Sequence, residues 1–371
     1  MDDPLCLSSP FPLGGTPNHS PLSIFQSGII TPMNFTVHTE FPAQLKAAWN
    51  DLLNESICNV PFLRYEYLEQ WWQTRGGGEW PSDAQLTLII AQQDGNLVGI
   101  APLFHTLHEG QSSLLFLGSI EISDFLSFIV RPQDLAAFSK ELLELLATSE
   151  QIPAWQVLDL YNNLEESGLA AALETEATRR NWTFSNEQTD HSPLIQLPGD
   201  WEMYLASLDK KQRHEIRRKM RRLQEAEVPS RWYLAEDTAT LETEIEAFIA
   251  LMAHDPQKQA FLTEPMKEAM AKTIRTAHQD GYLQLSFLEI DGKKAATYLN
   301  FDYLNSLWVY NSGMDPEFYS YSAGWVLLGY LLQWANENNR SAFDFMRGNE
   351  DYKYRFGATD RFVTRIRLTR A

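Results

Sequence analysis

Residues 86–104 read LTLIIAQQDGNLVGIAPLF, and residues 283–301 read LQLSFLEIDGKKAATYLNF. Each segment opens with a strand-like run, reaches Asp-Gly at the same offset (Asp94-Gly95 and Asp291-Gly292), and continues with a second strand-like run. Asp-Gly between two β-rich runs signals a hairpin, because the tight primed turns need positive φ at their centre. The second copy starts 197 residues after the first in a chain of 371, so the pattern divides the chain in two. The order of elements after each hairpin also agrees. In the first half come strand-like 113–118 and 126–130, an amphipathic helix over 133–149 and a strand from Trp155 to Leu160. In the second half come a strand at 306–312, a helix at 322–338 and a strand at 342–346.

Strand, helix, strand implies a parallel pair joined by a crossover helix, whereas the preceding hairpin is antiparallel. The expected fold is therefore α/β with mixed sheets: two similar lobes, 33–197 and 198–371, meeting near Pro198-Gly199. Ahead of them, residues 1–32 hold Pro4, Pro10, Pro12, Pro17 and Pro21 among Ser and Gly without periodicity. Such a stretch cannot offset its ordering entropy and is expected to be a disordered tail, with the folded part starting near Met33.

A hydrophobic fraction of 44% supplies two cores. The net charge of −19 disfavours DNA and anionic lipid as partners, so an anionic ligand must find a local basic patch. Two cysteines, Cys6 and Cys58, form no metal-ligand spacing or disulfide framework. No apolar run is long enough to span a membrane, and Met1-Asp2-Asp3 does not open like a signal peptide, so a cytoplasmic location is expected. His105 and His108 have no carboxylate or cysteine set around them in the sequence, and no metal is expected. Gly76-Gly77-Gly78 precedes Glu79-Trp80-Pro81 and reads as a surface loop.

The basic helix expected over 201–227 is the densest cluster of positive charge. Leu205, Leu208, Ile216, Met220 and Leu223 form its apolar stripe, and Lys210, Arg213, Arg217 and Arg221 share the adjoining face. That face suits an anionic ligand, and equally a solvated surface paired with neighbouring glutamates. Ser320, Tyr321, Ser322, Ala323 and Gly324 lie between a strand and a helix. Free N–H groups and the positive dipole at a helix start favour an anion there, while the same serines suit a plain N-cap. In the first lobe the matching start, Arg131-Pro132-Gln133-Asp134, has no glycine and offers no phosphate cradle.

Several segments resemble the two-lobed N-acyltransferases of the GNAT superfamily, both the cellulose-biosynthesis-associated acetyltransferase family and, more distantly, the Fem-type peptidoglycan-bridge transferases. They are the basic run from Leu208 to Lys219, Gly313-Met314-Asp315, Ser320 to Gly324, Asp344-Phe345 and Arg347 to Lys353, with Pro61-Phe62-Leu63 and Trp71-Trp72 at the start of the first lobe. The resemblance implies transfer of an acyl group, acetyl above all, from acyl-CoA to an amine on a small molecule or glycan, in envelope or polysaccharide metabolism. It implies a donor site in the second lobe at Ser320 to Gly324, and a degenerate first lobe that walls the acceptor site. The Ser-Tyr-Ser-Ala-Gly loop departs from the longer glycine-rich superfamily form, which begins with a basic or amide residue. Asp124 resembles an acidic position of the acceptor cleft. Glu350 is a candidate base, Lys353 a candidate oxyanion or phosphate ligand, and Tyr310 a candidate acid. Two alternatives stay open: an aminoacyl-tRNA-dependent peptide-bridge transferase, in which the basic helix meets RNA, and an inactive module that binds an anionic glycan or partner.

Overall fold

The computed structural model describes residues 32–370; the tail expected at residues 1–32 lies outside them except for its last position. Both Asp-Gly pairs make the turns their composition demands, with φ of 51° and 81° at Asp94-Gly95 and of 53° and 72° at Asp291-Gly292. Each turn joins two long antiparallel strands. The first sheet contains β1 (Asn34–His38), β2 (Gln85–Gln93), β3 (Asn96–His108), β4 (Gln111–Phe116), β5 (Ile129–Val130), β6 (Val157–Leu164) and β7 (Thr183–His191). The second contains β8 (Leu194–Gln196), β9 (Ser230–Leu234), β10 (Leu283–Ile290), β11 (Lys293–Tyr303), β12 (Ser306–Met314) and β13 (Ala342–Asp344). The last strand, β14 (Phe362–Thr369), returns to the first sheet.

The strand orders are β1-β2-β3-β4-β6-β14-β7, with β5 also on β3, and β8-β13-β12-β11-β10-β9. Apart from β7, one is the other read in reverse. An edge strand leads into a three-stranded antiparallel meander, and a crossover helix then delivers a parallel strand, β6 beside β4 and β13 beside β12. The crossover helices are α3 (Leu135–Thr148) and α10 (Ala323–Glu337), where the apolar periodicity puts them. Beyond the parallel pair, the strand exchange begins. β14, which comes after the whole second lobe, inserts antiparallel between β6 and β7, while β8, which precedes residue 198, pairs with β13. The sheets thus trade strands across the expected 197/198 boundary.

Helices cover both sheets: α1 (Lys46–Asn54), α2 (Tyr65–Gly78) and α4 (Leu169–Arg179) in the first half, and α5 (Trp201–Ser207), α6 (Lys210–Gln224), α7 (Leu241–Met252), α8 (Pro256–Phe261), α9 (Glu264–Gln279) and α11 (Asp351–Arg355) in the second. The basic segment, expected as one helix over 201–227, is two. Asp209 interrupts it and caps α6, its carboxylate accepting from Lys211 N at 2.9 Å and Gln212 N at 3.0 Å. A side chain that satisfies two orphan N–H groups stabilises a new helix start, so the chain restarts there. The apolar stripe is as read: Leu205, Leu208, Ile216, Met220 and Leu223 are buried against α10 and its sheet. Each such side chain stabilises the fold by roughly 1.5–3 kcal/mol.

The other face of the second sheet carries α7 and α9 and shares one apolar core with the first lobe, in which Phe62 meets Phe301 with ring centroids 5.9 Å apart and Phe125 meets Trp308, also at 5.9 Å. Here α2 packs on α9, with Gln70 Nε2 donating to Thr273 Oγ1 at 3.0 Å. The Gly76-Gly77-Gly78 run ends α2 rather than forming a surface loop, with φ of 66°, 75° and 85°. Gly76 and Gly77 are buried, and a Cβ on Gly77 would come within 2.8 Å of Met266 Sδ on α9. Only glycine permits both that backbone and that approach. Among the described residues, no helix is long and apolar enough to cross a membrane.

Candidate active site

In the second sheet, β13 accompanies β12 only from Ser306 to Trp308. Past that point β12 keeps β11 on one side, and no strand pairs with it on the other among the described residues. Where the strands part, the register with β11 steps from Asn300↔Val309 to Leu299↔Asn311, so Tyr310 is the extra residue of a β-bulge. Bulges re-aim side chains. Here the Tyr310 hydroxyl reaches the first lobe and donates to Ile122 O at 2.8 Å, beside the Tyr67 hydroxyl, which donates to the same carbonyl at 2.8 Å. Burial, then the nearby Asp124 charge, raise the Tyr310 pKa well above the phenol range. Tyr310 is thus a poor acid in this structure, and its proton faces a carbonyl.

At the far end of β12 lies a cavity of about 260 Å³, bordered by His254, Asp255 and Lys258 from the α7–α8 corner, Tyr298 from β11, Ser312 to Met314 from β12, and Tyr319 and Gly324. It is smaller than the roughly 300–1,000 Å³ of a site that encloses a whole drug-sized ligand, so it suits one part of a longer molecule. Of the five loop residues singled out, Ser320 and Tyr321 belong to a 3₁₀ turn, Pro316–Tyr321. Ser322 sits in the left-handed region at φ 57°, a conformation that costs a non-glycine residue roughly 1–2 kcal/mol. Its hydroxyl makes no cap bond, so this is not a plain serine N-cap. Ala323 is buried, and Gly324 borders the cavity, its N–H donating to the Met314 thioether at 3.2 Å. A thioether is a weak acceptor, which a ligand oxygen would readily outcompete.

Lys258 was not visible as a site residue in the sequence. Its ammonium donates to Asn311 Oδ1 at 2.9 Å and Ser312 O at 2.6 Å. Burial lowers its pKa, opposed by the charges of Asp255 and Glu350. Nothing in Asp255-Pro256-Gln257-Lys258 beyond a helix start marks this lysine, since its partners lie more than fifty residues away.

Three of the predicted acid–base residues join one network, Asp124 through Arg347 to Lys353 and Lys353 to Glu350, in which each is already engaged. Asp124 is committed to Arg347, Oδ1 accepting from Nε at 2.8 Å, and Arg347 further donates to Asn162 Oδ1 at 3.0 Å and Glu121 O at 2.8 Å. This arginine sits in a segment flagged by the sequence but without an assigned role. Lys353, 2% exposed, spends its ammonium on Arg347 O at 2.7 Å, Gly348 O at 3.1 Å and Glu350 at 2.9 Å. It holds the loop 347–350 closed. Glu350, 56% exposed and 2.9 Å from the Lys353 ammonium, acts through its charge on Tyr298 and Lys258, which both line the cavity.

The basic face of α6 is largely paired. Arg217 bonds Glu202, Arg218 forks onto Glu215 at 2.9 and 2.8 Å, Arg221 lies 3.9 Å from Glu225, and Arg213 donates to Ala206 O at 3.3 Å. Lys210 is exposed. Lys219, 3.5 Å from Glu215, also lies 4.0 Å from the Trp325 ring centroid, beside the start of α10. An open groove of about 630 Å³ runs between α6 and α11, past Lys211, His214 and Arg355, with Arg355 paired to Asp351 at 2.5 Å.

In the first lobe, residues 117–128 cross the end of β6, with Leu126 N donating to Asn162 O at 2.8 Å and Asn162 Nδ2 to Ser123 O at 2.7 Å. In the fold Asp159 joins His108 and its sequence neighbour Glu109, their ligand atoms within 4.8 Å of one another. Arg365 and Arg367 of β14 already occupy them, Arg365 bonding Asp159 at 2.8 and 2.7 Å and Glu109 at 3.0 Å.

Residues 210–354 match the family model described as an acetyltransferase (GNAT) domain. No curated protein sequence matches. Among solved structures, FemX superposes with a TM-score of 0.62 at 10% identity, covering 86% of this chain and 95% of FemX. A conserved protein of unknown function from Bacteroides thetaiotaomicron gives 0.57 at 12% identity, covering 91% and 100%. The C-terminal domain of a putative lysylphosphatidylglycerol synthetase from Agrobacterium fabrum gives 0.53 at 9% identity, covering 88% and 91%. The fold is two GNAT-like lobes: the repeat implied two similar lobes and the resemblance their type. The cellulose-associated family is not among these matches.

Proposed function

We propose that the chain is an N-acyltransferase that binds acyl-CoA in the second lobe and passes the acyl group to an amine entering between the lobes. The observation that carries this reading is the cavity at the open end of β12, lined by Lys258 and by Gly324, two residues past the left-handed turn at Ser322, inside the stretch matched to an acetyltransferase domain. The first lobe, whose 117–128 segment crosses the end of β6, serves as the acceptor wall. Glu350 takes the amine proton as the nitrogen attacks the thioester carbonyl, and the thiolate of CoA leaves. N–H groups on the unpaired edge of β12 stabilise the oxyanion. Holding donor and amine in one cleft supplies much of the rate. Lys353 and Asp124 act at one remove, Lys353 by closing the loop that carries Glu350 and Asp124 by anchoring Arg347. Acetyl is the first acyl group to test, and an envelope or polysaccharide amine the first acceptor.

Calorimetry with acetyl-CoA and longer acyl-CoAs tests the reading, repeated on Gly324→Trp, whose indole fills the cavity. Micromolar binding abolished by the substitution is the expected result; absence of binding to every acyl-CoA overturns it.

A second reading has its own support. The fold is shared with a protein named as a putative lysylphosphatidylglycerol synthetase and with FemX, and α6 presents exposed Lys210, Lys211 and Arg222. The donor would then be an aminoacyl-tRNA, bound with a steep dependence on salt. The glutamate pairing along α6 weighs against it.

A further inference from the structure

The loop before α10 contains no basic side chain, yet the cavity it borders is not without one. Lys258 arrives from α8, on the other side of β12, and lines the same cavity as Gly324. Its two hydrogen-bond partners, Asn311 Oδ1 and Ser312 O, are both neutral. Asp255 and Glu350 act on it through space, but neither is within ion-pair distance. An ammonium has three N–H donors, and two of them have partners here. A half-buried cation left with neutral partners gains most from an anion brought within hydrogen-bond reach, because charge-assisted bonds strengthen where water is excluded.

We propose that Lys258 is the positioning residue for a phosphate group of the acyl donor, supplying from α8 the cation that the Ser320 to Gly324 loop lacks. The inference rests on the donor reading above. Asn311 and Ser312 fix the ammonium against β12, so that the cation is in place before the donor binds and little side-chain entropy remains to be lost. Selectivity follows: the site favours phosphate-bearing thioesters over neutral pantetheine thioesters.

The test is calorimetry and steady-state kinetics on the full chain, comparing wild type, Lys258→Met and Lys258→Arg with acetyl-CoA, S-acetylpantetheine and inorganic pyrophosphate. Lys258→Met is expected to weaken acetyl-CoA and pyrophosphate binding about tenfold or more, the usual loss for a hydrogen bond to a charged group. It should raise KM for acetyl-CoA with little change in kcat, and leave S-acetylpantetheine unaffected. Lys258→Arg should recover part of the affinity, which a merely structural role would not produce. Acetyl-CoA binding within twofold of wild type in Lys258→Met would overturn the assignment while leaving the donor reading intact. Equal losses for S-acetylpantetheine and acetyl-CoA would also overturn it, by showing general damage to the cavity. Pyrophosphate binding that depends on Lys258, with no binding of any CoA thioester, would overturn the donor and keep the phosphate site. Binding of neither ligand by the wild type would overturn both.

Discussion

Asp124 and Arg347 show how a residue's surroundings redefine a sequence reading. A carboxylate near a cleft invites the role of base, but here a guanidinium grips it, and the pair ties the first lobe's 117–128 loop to the segment after β13. Both side chains are mostly shielded, 14% and 18% exposed. Removing one partner of such a pair strands the other, at a cost of about 3 kcal/mol or more. Asp124→Ala should lose that much stability in urea unfolding, and Asp124→Asn, which keeps an oxygen for Nε, clearly less. A catalytic base would give the opposite result: stability untouched by either change and activity lost in both. The chemistry of Asp124 was legible from the sequence as an acid in a loop. Its partner, more than two hundred residues away, was not, because sequence spacing carries no information on contacts made only by tertiary folding.

At the scale of elements, β12 does most to shape the site. Its first three residues pair with β13, a bulge turns Tyr310 toward the other lobe, and its end runs so close to α7 that a Cβ on Gly313 would come within 2.4 Å of Met252 N and 2.5 Å of Leu251 C. Backbone atoms cannot yield as a side-chain end can. Gly313→Ala should therefore force α7 off the strand, lowering stability by roughly 1–3 kcal/mol. Gly324→Ala, whose Cβ would meet only Met314 Sδ at 3.4 Å, should be close to neutral. Thermal melts of the two variants check the contrast. The hairpins, crossover helices and their order were readable, since Asp-Gly turns and apolar periodicities are local properties. The helix break at Asp209 was readable in principle, as Asp followed by a charged helical run is a capping signal. Lys258 was not readable: α8 is six residues long, and its lysine gains meaning only from the strand it touches.

At the scale of the whole molecule, the lobes are two in pattern and one in substance. Their shared core includes Phe62, Phe125, Phe301 and Trp308, and the sheets exchange β8 and β14. Calorimetric unfolding should give one cooperative transition, and a fragment of residues 33–197 should fail to fold, because β6 and β7 lose the strand between them and Asp159 loses Arg365. Two separate transitions, or a fragment with a native near-ultraviolet spectrum, would contradict this. The repeat announced the two lobes. The exchange was hidden because β14 alternates apolar and polar residues as any edge or central strand does, and nothing in Phe362–Thr369 states which sheet it will join.

The position of β14 also sets an order of events at the ribosome. The first lobe leaves the exit tunnel with nearly all of its sequence, yet its sheet lacks an interior strand until some 165 further residues have been translated, about eight seconds at the faster end of elongation rates of roughly 5–20 residues per second. For that interval β6 and β7 present unpaired backbone, the kind of surface on which nascent chains associate. A nonsense codon anywhere in the second half therefore removes the first lobe as well, and the cell's burden of holding an unfinished sheet grows with every pause in translation between the two.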